Sequence, residues 1–264
     1  MLVAQITDLH VVLPDTKAGQ LMKTAPALEG AVAHLESLTR KPELVLISGD
    51  LVDAGREDEY ELLAELLDPL TIPHYLIPGN HDERSAMAKV MRPHGHDYLP
   101  ETGFMQYALD LGELRLVAVD TVKAGASGGL LCAERLRWLD ECLAESDKPT
   151  IVMQHHPPFD TGIVAMDRIG LEGRVEEEAV IRKHPHVERV ICGHLHRPIM
   201  RRFGGTIAST APSTAHSLEL DLREHGHLGV LPEPAGTHMH LWQGGALVTH
   251  QSYTGDYGEP FIVG

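Results

Sequence analysis

Apolar runs alternate with amphipathic stretches along the first two hundred residues. Leu2–Thr7 (LVAQIT) reads as a strand, and Ala25–Leu38 follows with apolar residues at helical spacing. Leu44–Ser48 (LVLIS) is a short, wholly apolar strand, after which Asp58–Leu67 returns to helix. The alternation continues through strands at His74–Pro78 and Leu114–Val119 and a helix at Ala133–Ala144. A strand at Thr150–Gln154, a helix at Glu176–Lys183 and a strand at Val187–Cys192 complete it. From Pro198 the pattern changes. Gly, Pro, Thr and His interrupt short β-prone pieces at Thr206–Ser209, Ser217–Leu222, Met239–Trp242 and Ala246–His250. Strand–helix alternation followed by a strand-rich tail predicts an α/β fold, a layered core whose second sheet the C-terminal third completes. The expected division is a core over 1–222 and a β-rich extension over 223–264, part of the core or an interface or lid element.

Length and charge narrow the function classes. A chain of 264 residues can bury a sizeable core. With 38 Asp and Glu against 22 Lys and Arg, the net charge is −16, which argues against a nucleic-acid polymer as partner. A small phosphorylated substrate stays open, because bound cations reverse the local field. No apolar segment approaches the roughly 20 residues a bilayer span requires, so no membrane partner is expected. Cys132, Cys142 and Cys192 are scattered and lack metal-type spacing. They read as reduced thiols, and with no basic leader before the first strand a cytoplasmic protein is expected.

The chemistry lies where the strands end. After LVAQIT come Asp8 and His10; after LVLIS come Gly49, Asp50 and Asp53; after HYLIP come Gly79, Asn80, His81 and Asp82. After TIVMQ come His155 and His156, and after VERVIC come Gly193, His194, Leu195 and His196. In layered α/β folds the carboxyl ends of strands line one crevice, so the five clusters are expected to converge. Asp8, His10, Asp50, Asn80, His155, His194 and His196 form a transition-metal donor set. Seven donors are too many for one catalytic ion with an open position, and suit two ions sharing a carboxylate. In an extended His194-Leu195-His196, residues two apart point the same way, so each imidazole can serve a different ion of a close pair.

The blocks DLH, GDLVD, GNHD, HHPP and GHLH, in this order, resemble the signature blocks of the calcineurin-like metallophosphoesterases. The resemblance spans residues 1 to about 200 and implies a four-layer α/β/β/α sandwich, here with the strand-rich C-terminal extension. By position it implies a first ion on Asp8, His10 and His196, a second on Asn80, His155 and His194, and Asp50 bridging them. The ions would be Fe, Mn, Zn or Co. His81 matches the family's catalytic or substrate-contacting histidine, and Asn80 adjoins the substrate. Ala54 follows the GDLVD block, where protein phosphatases of this superfamily place a phosphate-gripping Arg. The compact length, the GNHD form and STAPSTAHS at Ser209–Ser217 look more like bacterial class III cyclic nucleotide phosphodiesterases and related glycerophosphodiesterases. In that group a histidine near this segment reaches substrate, and His216 is the match. The resemblance therefore implies hydrolysis of small phosphodiesters, by attack on phosphorus of a hydroxide generated on the two ions. The alternatives are a phosphomonoesterase using Arg84 or Arg197 as its extra cation, a nuclease, and a silent scaffold. A homo-oligomer, dimer or higher, is expected if the β-prone tail pairs with a second copy.

Other polar residues read more plainly. His156, before two prolines, is expected to shape its loop. Asp53 and Asp82 are expected to cap turns or helices, with Asp82 alternatively orienting His81. His225, His227, His238, His240 and His250 read as solvated loop histidines, Gly125–Gly129 as a flexible loop, and Glu176–Glu178 as acids suited to a helix start.

Overall fold

The wholly apolar runs become strands buried on both faces, as strands do when helices cover one side of a sheet and a second sheet the other. The computed structural model describes residues 1–258 and 261–263. In chain order the first part comprises β1 (Leu2–Ile6), α1 (Lys17–Met22), α2 (Thr24–Ser37), β2 (Leu44–Ile47), α3 (Glu57–Leu67), β3 (His74–Leu76) and α4 (Arg84–Met91). Then come β4 (Tyr107–Asp110), β5 (Arg115–Ala118), β6 (Gly129–Leu130), α5 (Ala133–Ala144), β7 (Thr150–Met153), α6 (Val164–Asp167), β8 (Leu171–Glu172) and α7 (Arg174–Lys183). The last part is all strand: β9 (Val187–Cys192), β10 (Ile199–Phe203), β11 (Thr206–Thr210), β12 (Ser217–Leu218), β13 (Val230–Leu231), β14 (Gly236–Gln243) and β15 (Ala246–Tyr253).

Two sheets stack. One runs β15-β14-β1-β2-β3 and the other β10-β11-β9-β7-β5-β4. The main apolar cluster joins Leu28, Val32 and Leu35 of α2 and Leu63 and Leu67 of α3 to the first sheet. It continues to Leu116, Ile151 and Ile191 of the second. Leu139 and Leu143 of α5 and Val180 and Ile181 of α7 cover the second sheet's outer face. The layers are therefore helix, sheet, sheet, helix. Each fully buried Leu or Ile in them contributes about 1.5–3 kcal/mol.

Strands of the C-terminal third enter both sheets, not the second alone. β10 and β11 extend the second sheet, whereas β14 pairs antiparallel with β1, Leu2 opposite Leu241, and β15 forms the first sheet's edge. The expected strand at Ser217–Leu222 shortens to β12, paired with β13 in a small ribbon of its own. β10 gave no sequence signal because Met200, Arg201 and Arg202 face solvent on an edge strand, which needs no apolar alternation. α1 was equally silent, since it buries no residue.

A polar strut crosses the sandwich. Gln5 Nε2 of β1 donates to Ser48 Oγ at 2.8 Å and to the Cys192 carbonyl at 3.0 Å, while its Oε1 faces His240 Nε2 at 3.1 Å. It ties the ends of β1, β2 and β9 together directly beneath the loops that carry the chemistry.

Candidate metal centre

The loops after β1, β2, β3, β7 and β9 lie at one edge of the two sheets and interlock through the backbone. Asp8 N donates to the Gly49 carbonyl at 3.0 Å, His10 N to the Asp50 carbonyl at 2.9 Å, and Gly193 N to the His155 carbonyl at 3.0 Å. Six non-glycine residues among those described have left-handed backbone, and five are Asp8, His10, Asp50, His194 and His196, with φ between 43° and 71°. Such a conformation costs an ordinary residue about 1–2 kcal/mol, and strain of this kind gathers at functional sites. The glycines of the blocks also have a steric reason. A Cβ on Gly79 would collide with Asp50 Oδ1 and lie 2.8 Å from His155 Cε1; one on Gly193 would strike Thr7 Oγ1 and lie 3.0 Å from Asp8 Oδ2.

All seven expected donors come together. Asp50 Oδ2 lies 3.6 Å from His10 Nε2 on one side and 3.3 Å from His155 Nε2 on the other. Toward the first side, His196 Nε2 is 3.1 Å from His10 Nε2 and 3.6 Å from Asp8 Oδ1. Toward the second, Asn80 Oδ1 is 3.2 Å from His155 Nε2, and the His155 and His194 ring centroids are 5.2 Å apart. Donor atoms of Asp8, His10 and His196 all fall within 4.8 Å of one another, as do those of Asp8, Asp50 and His155.

The tautomers suit cations. His155 Nδ1 donates to the Ser48 carbonyl at 2.9 Å and His196 Nδ1 to the His216 carbonyl at 3.0 Å, so in the neutral form of each ring the lone pair is on the inward Nε2. His194 spends Nε2 on the Ile169 carbonyl at 3.2 Å, which leaves Nδ1. Asp8 Oδ2 is buried without any hydrogen-bond partner, a costly orphan that a metal ion would satisfy. The residues present therefore fit a dimetal centre.

The field inside is equally telling. Burial raises the Asp8 carboxyl to about 6, with Asp50 adding to it against the pull of His155. On Asp50 burial is overcome by His155, which holds the carboxyl well below its ordinary value. Asp50 in turn outweighs burial at His155 and raises that imidazole to about 9. Burial, reinforced by His155, drives His194 down to about 3. The centre thus draws positive charge to the atoms around Asp50 while leaving outlying imidazoles as neutral donors.

His81 and His216 border the same cleft as the donors. His81 N donates to Asp50 Oδ1 at 2.9 Å and its Nδ1 to the Asp53 carbonyl at 2.7 Å, which leaves Nε2 free. The His216 ring lies 4.6 Å from that of His196, and burial together with His10 lowers it to about 4.

Some of the other polar residues meet expectation and some depart from it. Asp53 caps nothing: its carboxylate stands 3.6 Å from His10 Nδ1 and 3.7 Å from His81 Nδ1. The α3 entrance is instead capped by Glu59, which accepts from Ala54 N and Arg56 N. Asp82 does not orient His81. It accepts from Leu51 N, Val52 N, Gly79 N and the Tyr60 hydroxyl, stitching two loops together. His156 shapes its loop, bonded to Thr121 Oγ1 and to the Ser127 carbonyl of the glycine-rich turn. His238 and His240 are not solvated; both are buried in β14. Among the described residues no cluster of three metal-type donors includes a histidine beyond 196. Arg84 is held by Asp120 at 2.6 and 2.8 Å, Arg197 by the Leu218 carbonyl and Glu233, and neither lines the cleft.

Comparison with known proteins agrees with this geometry. A glycerophosphodiester phosphodiesterase, GpdQ, of Enterobacter lignolyticus is 31% identical over 99% of this chain and 94% of its own. A 3′,5′-cyclic-nucleotide phosphodiesterase, alr5338, of Nostoc is 30% identical over 82% of this chain and 79% of its own. Among solved structures, a dimetal phosphatase from Danio rerio superposes with a TM-score of 0.67 at 15% identity, covering 97% of both chains. Residues 1–198 match the family described as calcineurin-like phosphoesterase. The converging loops, the paired donor sets and this match make the chain a member of the calcineurin-like phosphoesterase family.

Proposed function

We propose that the protein is a binuclear metal-dependent phosphodiesterase acting on small phosphodiesters of the cyclic-nucleotide or glycerophosphodiester type. Asp8, His10 and His196 would hold one ion, Asn80, His155 and His194 the other, with Asp50 shared. The observation that carries this reading is Asp50 Oδ2 set between His10 and His155, at 3.6 and 3.3 Å. Fe, Mn, Zn and Co all suit such donors. When bound, the pair of ions lowers the pKa of water and neutralises charge on the phosphoryl oxygens.

The chain's own residues supply the rest. His81 keeps Nδ1–H on the Asp53 carbonyl, so a second proton taken up by the ring would sit on Nε2, from where it would pass to the departing alkoxide and leave the neutral imidazole. Asn80 turns Oδ1 toward His155, leaving its amide N–H as a donor for a phosphate oxygen. His216, neutral near pH 7, offers a ring nitrogen to the substrate without adding charge. Among the described residues the cleft is lined by one serine, Ser127, and no cysteine, and the reading adopted is direct displacement without a covalent intermediate.

Diesters are favoured over monoesters by charge. Among the described residues no Lys or Arg lines the cleft, and the two arginines expected to serve a dianionic monoester are engaged elsewhere. The net charge of −16 opposes a nucleic-acid polymer as substrate. No helix among the described residues is long and apolar enough to cross a membrane. The three free cysteines support a reducing compartment such as the cytoplasm. The open edge of β15, where Val248 and Tyr253 are exposed, supports self-association, to be read by sedimentation.

The test compares bis(p-nitrophenyl) phosphate with p-nitrophenyl phosphate, using metal-free and Mn-reconstituted protein. Metal-dependent turnover favouring the diester is expected; preference for the monoester would overturn the reading.

A further inference from the structure

The phosphoryl-facing floor of the cleft is accounted for by the donors, but its walls are not. Met22, Met166, Ile169, Leu218, Leu228 and Val230 line the same space of about 280 Å³. Three of them have a structural explanation. Met166 and Leu218 belong to a small apolar cluster with Ile163 and Leu195, against which Ile169 packs and which seats Leu195 between the two histidines of its block. Leu228 and Val230 have none: they are 52% and 58% exposed, on the β12–β13 ribbon, at the mouth of a metal site. Leu220 and Leu222 on the same loop are also exposed, and Leu222 lies close to Gly162, before α6. Exposed apolar residues gathered at a cleft mark a binding surface.

The chemistry of the lining is selective. Apart from histidines, its neutral polar side chains among the described residues are Asn80 and Ser127 alone, and it contains no Phe, Tyr or Trp. A polyol placed against Met22, Leu228 and Val230 would lose its water without gaining hydrogen bonds from those side chains. A nucleobase would find no flat aromatic partner other than imidazole. An alkyl or aryl group would bury its surface against Leu228 and Val230, which the fold leaves exposed.

Resting on the diesterase reading above, we infer that the walls bind the ester group that stays on phosphorus and that this group is apolar, so that the favoured diesters pair a departing alcohol, glycerol among them, with a retained alkyl or aryl alcohol. The leaving group can be held constant to test this. Metal-loaded protein is given methyl, propyl, hexyl and 2,3-dihydroxypropyl p-nitrophenyl phosphates. Burial of a methylene is worth about fourfold, so kcat/KM should climb roughly three- to fourfold per added carbon until the cleft is filled. The propyl ester should exceed its dihydroxy analogue by about tenfold or more. Leu228→Ser with Val230→Ser, both at exposed positions that leave the core intact, should flatten the series. In parallel, calorimetry reads the affinity of methyl and hexyl monoesters of methylphosphonic acid for the loaded protein. Turnover of every ester with no dependence on chain length, or faster turnover of the dihydroxy ester, would overturn the inference and leave the diesterase standing. Absence of turnover with affinity still rising along the phosphonate series would do the reverse.

Discussion

Glu177 of α7 offers a measurable consequence of burial beneath the centre. Its side chain is fully buried, Oε1 has no partner, and Oε2 meets Gln154 Nε2 at 3.4 Å. Gln154 also donates to the His156 carbonyl at 2.9 Å, so the acid underlies the His155–His156 loop. Burial raises its pKa from the ordinary 4.5 to about 8, against the weaker pull of Gln154. The native state therefore keeps a proton that the unfolded chain gives up above pH 4.5. Unfolding releases that proton, so this group's contribution to stability is complete below pH 4.5 and declines as pH rises toward 8. At 1.36 kcal/mol per pKa unit, the decline between pH 5 and pH 8 amounts to about 3 kcal/mol. Glu177→Gln removes the titration. The amide adds a pH-independent cost of about 1–3 kcal/mol for its unpartnered N–H, so the informative quantity is how the gap between variant and wild type changes with pH. Urea unfolding followed by circular dichroism at pH 5, 6, 7 and 8, with chelator present for both proteins, measures it. The variant should gain on the wild type by about 3 kcal/mol across that span. A constant gap would refute the buried, neutral acid.

Three further outcomes test the centre. His81→Ala should retain two metal ions per chain by elemental analysis while losing about 10²–10⁴-fold in turnover of esters with alkyl leaving groups, and far less with p-nitrophenolate; equal losses would remove the proton-donor role. Asp50→Ala should fail to hold two ions, and full occupancy in that variant would contradict a shared carboxylate. Gly79→Ala should weaken metal affinity about 10–100-fold by pushing on Asp50 and His155, as read by chelator competition, and an unchanged affinity would show that the loop yields without cost.

The centre was more legible in the sequence than its surroundings, for a physical reason. Each donor follows an apolar strand, and the rule that strand ends share an edge carries Asp8, Asp50, Asn80, His155 and His194 to one place without any knowledge of the path between. Asp53 was misread because its spacing before α3 imitates a cap; only tertiary contact shows it beside His10 and His81. His238 and His240 looked solvated among glycines and prolines, yet the register of β14 against β1 turns them into the interior, where His240 finds Gln5. Glu177 hid inside an acidic run whose neighbours are ordinary helix-start residues. The apolar walls of the cleft left no trace at all, since Met22, Ile169 and Val230 come from three unrelated segments and match no period.

The donors divide between the two sheets. Asp8, His10, Asp50 and Asn80 follow strands of the first, while His155, His194 and His196 follow strands of the second. Each proposed ion would thus join residues far apart in the chain, His10 to His196 across 186 positions. Contacts of such long sequence separation are slow to form, because chain closure must be met before they yield any return. Stabilisation that is absent from the folding transition state slows unfolding and leaves the folding rate nearly unchanged. Loading the centre should therefore act chiefly as a kinetic clamp on the sandwich, lengthening the lifetime of the native state.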